Sequence, residues 1–143
     1  MYINLFFFSS AIAFLSFISL AIYVLYNNNK CTINLTFSLF LSSYALWIFG
    51  DFFHFFEIFR NFNFTFFIRA CHLGTVFLPA LYVHFILSIV AKKKFKKLIY
   101  LLYCISIFFE LTNLFTPLFI KFAYLEINNL ILNIEIGIFY HIY

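Results

Sequence analysis

The sequence predicts an all-α polytopic membrane protein, a transmembrane helix bundle of four full spans plus a partial fifth. The chain of 143 residues is 66% hydrophobic and only 10% charged, whereas a soluble domain has about 25% charged residues. Four apolar stretches are each long enough to cross a bilayer, which takes about 20 helical residues. Most of this chain must therefore be surrounded by lipid or by other apolar helices.

Short polar segments separate the predicted spans, which cover about residues 3–26, 33–56, 66–90 and 98–120. The first span carries no charge and is too long for the apolar part of a signal peptide, so we expect it to be retained. Pro79 can kink the third span, and Pro117 is expected to end the fourth. A further apolar segment, 130–143, contains Glu135 and is too short to cross alone.

The spans form a single membrane domain over residues 1–143, and no soluble domain is recognisable in the sequence. The chain stops inside the fifth apolar segment, at Phe139-Tyr140-His141-Ile142-Tyr143. We therefore expect the sequence to be a fragment of a longer product.

A lysine cluster between spans three and four orients the bundle. It consists of Lys92, Lys93, Lys94, Lys96 and Lys97. Together with Lys30, which follows span one, it places six basic residues on one side of the membrane, against Arg60, Arg69 and Lys121 on the other. Because basic residues in short loops mark the cytoplasmic side, we expect the N-terminus outside.

Five ionisable side chains lie near the predicted outer ends of spans two and three: Asp51, His54, Glu57, Arg69 and His72. Helical spacing places Asp51 and His54 on one face, and the short loop makes the two spans antiparallel neighbours. We expect a cluster at the outer rim that serves as a sensing pocket or a polar lock between helices. Alternatively, the acids pair with Arg60 and Arg69 and extend into the headgroup layer.

The sequence does not support a metal, haem or nucleotide-binding site. Cys31, Cys71 and Cys104 show no metal-ligand spacing. His72 and His84, 12 residues apart, are about 120° from a common helix face, which disfavours a haem pair. No nucleotide-binding or triad motif is present. We therefore expect no catalytic residues, no metal and no cofactor.

Two further polar features are interpreted as structural. Glu110 and Asn113 lie one turn apart in span four, where interhelical hydrogen bonding is expected and a polar pathway is the alternative. The net charge of +4 comes mostly from the lysine cluster beside an apolar span. Such a loop faces a membrane surface, so the lipid bilayer and not nucleic acid is the expected partner.

Four ordered motifs resemble the N-terminal seven-helix membrane region of bacterial sensor histidine kinases, over about residues 10–120. They are the segments Leu20–Leu25, Ala45–Gly50, Arg69–Gly74 and Phe77–Phe85. That family typically has a tryptophan followed by a small residue in its second helix, as at Trp47 and Gly50. Its third helix typically carries a Leu-Gly…Pro…aromatic pattern, and a basic cytoplasmic loop follows.

The resemblance implies the membrane sensor of a two-component signal-transduction receptor, placed in the bacterial inner membrane with its N-terminus outside. It also implies a homodimer and an unknown small-molecule stimulus, but no defined ligand residues. Two departures from the family pattern matter. Seven helices are expected in the family, whereas this sequence predicts four spans and a partial fifth. No kinase domain is recognisable here, so we expect no enzyme activity. A small transporter or respiratory-type subunit, or a non-functional remnant, is the alternative. A transporter would have charges near the middle of several spans, and Glu110 is the main one here.

Overall fold

The computed structural model describes residues 2–27, 31–53, 64–90, 95–118, 120–126 and 131–136. Its helices are α1 (Tyr2–Asn27), α2 (Thr32–Phe53), α3 (Phe64–Ile89) and α4 (Lys96–Phe115). Two antiparallel strands follow, β1 (Ile120–Glu126) and β2 (Ile131–Ile136). All four helices are long and apolar enough to cross a membrane. The predicted polytopic helical bundle is confirmed.

Each helix packs mainly on its neighbour in sequence: α1 on α2, α2 on α3 and α3 on α4, while β1 contacts α3. Short connections make consecutive helices antiparallel, and aromatic pairs follow that direction. Phe37 stacks on Phe85 with ring centroids 5.0 Å apart, and three residues later Phe40 meets Tyr82 at 6.0 Å. Among the described elements the α2–α3 pair has the most extensive contact, and α3 also contacts α4 and β1. Helix α3 is therefore the central support for these elements.

Two glycines let α2 and α3 approach closely. A Cβ at Gly74 of α3 would overlap the carbonyl oxygen of Ser43 and lie 2.9 Å from the Trp47 nitrogen, both backbone atoms of α2. A Cβ at Gly50 of α2 would lie 2.7 Å from the Cβ of Cys71. Lipid tails are as apolar as side chains, so helices in a membrane gain most from such close backbone packing.

The α1–α2 contact also uses small residues, and one hydrogen bond crosses it. Ala21 and Ala45 are buried there. The Ser38 hydroxyl donates to the carbonyl oxygen of Ala21 at 2.8 Å, and Ser38 itself is 1% exposed. A hydroxyl buried among apolar helices needs a partner, and this carbonyl satisfies it while fixing the two helices in register.

Helix α4 ends at Phe115, five residues earlier than the predicted span. Thr116 is extended, with φ −131° and ψ 157°, as expected for a residue that precedes a proline. Pro117 thus ends the helix, in agreement with its predicted role. Helix α3, in contrast, runs through Pro79 without interruption.

The segment after α4 differs from the sequence-based expectation. A fifth helical segment was predicted at 130–143, but its described part, Ile131–Ile136, is a strand paired with Ile120–Glu126. The order Ile-Leu-Asn-Ile-Glu-Ile is rich in β-branched residues and has polar side chains at alternate positions, which favours a strand over a helix. Residues 137–143 lie outside the described part of the chain.

Candidate functional site

The predicted outer-rim residues are only partly described. Asp51 belongs to the last turn of α2, and Arg69 and His72 lie near the start of α3. The antiparallel packing of α2 on α3 places these two helix ends at the same end of the bundle. His54 and Glu57 lie outside the described residues, so the five-residue cluster stays a prediction.

Arg69 bridges three elements at this end of the bundle. Its Nε donates a hydrogen bond to the carbonyl oxygen of Ile120 at 3.0 Å, and its Nη2 donates to the same oxygen. Its Nη1 lies 3.4 Å from the carbonyl oxygen of Leu114. The last carbonyls of a helix have no partner within the helix and carry partial negative charge, which a guanidinium satisfies well. Arg69 therefore links α3 to the end of α4 and to the first residue of β1.

The buried positions of α4 lie in its second half and are all polar. Its buried residues are Ser106, Glu110 and Asn113, spaced i, i+4 and i+7 on one stripe. The Ser106 hydroxyl donates to the carbonyl oxygen of Val76 at 3.1 Å, and the Asn113 amide donates to that of Arg69 at 3.0 Å. Directional hydrogen bonds to the α3 backbone thus fix how α4 sits on α3.

Glu110 lies between these two bonds and is 4% exposed. Both of its carboxyl oxygens are buried, and no donor among the described residues reaches them. The same holds for Oδ1 of Asn113, whose side chain lies beside the carboxyl. Three acceptor oxygens are therefore enclosed without a donor in the described part of the α3–α4 contact.

His72 and His84 occupy different levels of the same contact. His72 lies on the stripe of α3 that includes Arg69 and Val76, at the level of Glu110. Toward the other end, Nδ1 of His84 is 3.0 Å from the hydroxyl of Tyr103, and the imidazole tautomer decides which of the two donates. A polar contact therefore occurs at each end of the α3–α4 pair.

The sequence indicated part of this arrangement. Interhelical hydrogen bonding by Asn113 is confirmed, while the partners of Ser106 and Tyr103 were not anticipated. For Ser106, the available sequence signal was its helical spacing relative to Glu110 and Asn113 in a largely apolar span. Within the part of the chain that the structure describes, no group of three or more His, Cys, Asp or Glu side chains is placed to hold a metal ion.

The fold and this polar contact define a polytopic membrane domain in which side-chain hydrogen bonds fix α4 on α3. A family model described as the N-terminal 7TM region of histidine kinase matches residues 9–143. The chain therefore belongs to this family, as its motifs indicated, and the family suggests a sensor module of a signalling receptor. No curated protein and no solved structure matches the chain.

Proposed function

We propose that this chain is the membrane input module of a histidine-kinase-type receptor and converts a stimulus at its outer end into altered helix packing. Family membership supports the receptor class. The Arg69 bridge carries the mechanistic part of the proposal. One side chain there holds the end of α4 and the first residue of β1, at the end where the sequence predicts the sensing cluster.

The α3–α4 contact offers a route from that end to the opposite one. Asn113 binds the backbone carbonyl of Arg69 itself, so a displacement of α3 at Arg69 changes the position of α4. Ser106 and the His84–Tyr103 pair continue the contact toward the lysine cluster. Hydrogen bonds to fixed carbonyls favour discrete arrangements, which a stimulus can select by binding one of them better.

The stimulus site would consist of Asp51, His54, Glu57, Arg69 and His72, with an unidentified small molecule as ligand. In a histidine kinase that carries this region, replacing Asp51, His54, Glu57 and His72 together with apolar residues should abolish stimulus-dependent autophosphorylation. Ser9→Ala, at an exposed position of α1, is the control and should leave it unchanged. An unaltered response of the fourfold variant would contradict the assignment.

The proposed setting is a bacterial inner membrane, with the N-terminus outside and a second copy of the chain as partner. Large apolar side chains exposed on the bundle, such as Phe108 and Phe115, support contact with lipid. Single-cysteine variants test the orientation. Asn61→Cys should react with a membrane-impermeant maleimide from outside, and Lys94→Cys only after permeabilisation. The reverse labelling would refute it.

A further inference from the structure

The three enclosed acceptor oxygens of Glu110 and Asn113 require an explanation beyond helix packing. A buried acceptor without a donor destabilises the folded state, and a charged one does so more strongly. An ionised carboxylate inside a membrane bundle is the most costly case. Some species must therefore neutralise or bind Glu110 in the folded chain.

The neighbouring groups do not supply a donor. Helix α4 packs chiefly against α3, whose ionisable groups on this contact are Arg69, His72 and His84. The Arg69 guanidinium binds the carbonyl oxygens of Ile120 and Leu114. His72 makes no bond to the Glu110 carboxyl, whose two oxygens have no partner among the described residues, and His84 is engaged with the Tyr103 hydroxyl at the other end.

We infer that Glu110 is a proton-binding site and is held in the folded protein as a neutral carboxylic acid. Its O–H donates to Oδ1 of Asn113, one turn away on the same stripe. The Asn113 amide is already oriented, because its Nδ2 donates to the Arg69 carbonyl, which leaves Oδ1 as the available acceptor. One proton removes the charge and satisfies two of the three groups, and it needs no room in a contact where both side chains are buried.

The inference goes beyond the proposed function, since it concerns the folded chain whether or not that chain signals. The protonation state of Glu110 also affects the stability of the α3–α4 contact. Loss of the proton would place an unpaired negative charge between the two helices and weaken their association.

Isosteric substitution in the full chain, reconstituted in phosphatidylcholine nanodiscs, tests the assignment. Glutamine reproduces the shape and neutrality of a protonated Glu110 and can donate to Asn113. E110Q should therefore keep the wild-type unfolding equilibrium within a few-fold, while E110A should lower it by roughly tenfold or more, because Asn113 loses its donor. Failure of E110Q to fold, or a loss as large as that of E110A, would overturn the proposal.

Infrared difference spectra between the wild-type chain and each variant provide a direct readout of the proton. The wild-type chain should show the C=O stretch of a protonated, hydrogen-bonded carboxylic acid, shifted in D₂O. This band should be absent from E110Q and retained in the control E126Q, which changes a glutamate of β1. Persistence of the band in E110Q would refute the assignment, as would a wild-type stability that depends on Na⁺ or K⁺, which would indicate a metal cation in place of the proton.

Discussion

Replacing Gly74 with alanine should force α2 and α3 apart. The added Cβ would lie 2.9 Å from the backbone nitrogen of Trp47 and closer still to the Ser43 carbonyl oxygen, whereas ordinary contact begins at 3.4 Å. The helices must therefore separate by at least about 0.5 Å along this direction. Because both obstacles are backbone atoms, no side-chain rotation can relieve the overlap.

The expected cost follows from overpacking of a tight contact. Extra methyl groups in a well-packed interior cost about 1–3 kcal/mol. A loss of about 2 kcal/mol corresponds to a roughly 30-fold decrease in the folding equilibrium constant. Gly74→Val should cost more, since its branched side chain adds two further carbons at the same place.

Reversible unfolding in mixed detergent micelles, followed by far-ultraviolet circular dichroism, measures this equilibrium. Trp47 is the only tryptophan of the chain, and its backbone nitrogen lies at the contact, so we expect its fluorescence to respond to the local separation. Leu73→Phe is the matched control, because Leu73 is the preceding residue and is 40% exposed. It should change neither signal. A Gly74→Ala variant with wild-type stability and unchanged Trp47 emission would refute the close approach.

Three smaller effects are expected in the same unfolding assay. Ser38→Ala should cost about 1 kcal/mol by removing the bond to Ala21, and an unchanged midpoint would argue against that bond. Tyr103→Phe should cost a similar amount in the wild-type background but nothing further in His84→Phe, so additive losses would contradict their coupling. Arg69→Lys should increase protease cleavage after α4, because a lysine cannot reproduce the forked contact with backbone carbonyls; unchanged cleavage would contradict the bridge.

The four-helix part of the fold was predictable because each span is a long apolar run, a signal that depends only on composition and length. The end of α4 was also predictable, since Pro117 acts locally. The hairpin was not anticipated, because the segment 130–143 was interpreted from its hydrophobicity alone. The alternation around Asn133 and Glu135 carried the relevant signal, and the pairing itself is local, since Glu126 lies opposite Ile131.

The candidate site was predicted less completely. The bounds of the third apolar run correctly placed Arg69 and His72 near the start of α3, but nothing in the sequence showed that the Arg69 guanidinium would bind backbone carbonyls at and beyond the end of α4. Carbonyl partners have no sequence signature, since every residue carries one. Glu110 was noticed as an isolated charge, yet its enclosure beside Asn113 becomes visible only when α4 is packed on α3.

The buried polar residues of α4 make its packing chemically different from that of the other three helices. Helices α1 to α3 associate largely through close packing at small residues such as Gly74 and Ala45, with the Ser38–Ala21 hydrogen bond between α1 and α2, whereas α4 is held on α3 by several side-chain hydrogen bonds. Solvents that compete for hydrogen bonds should therefore separate α4 first and leave α1 to α3 associated. Substitutions that add bulk at Gly74 should instead separate α2 from α3 first. The order in which the domain comes apart would thus depend on the chemistry of the disturbance.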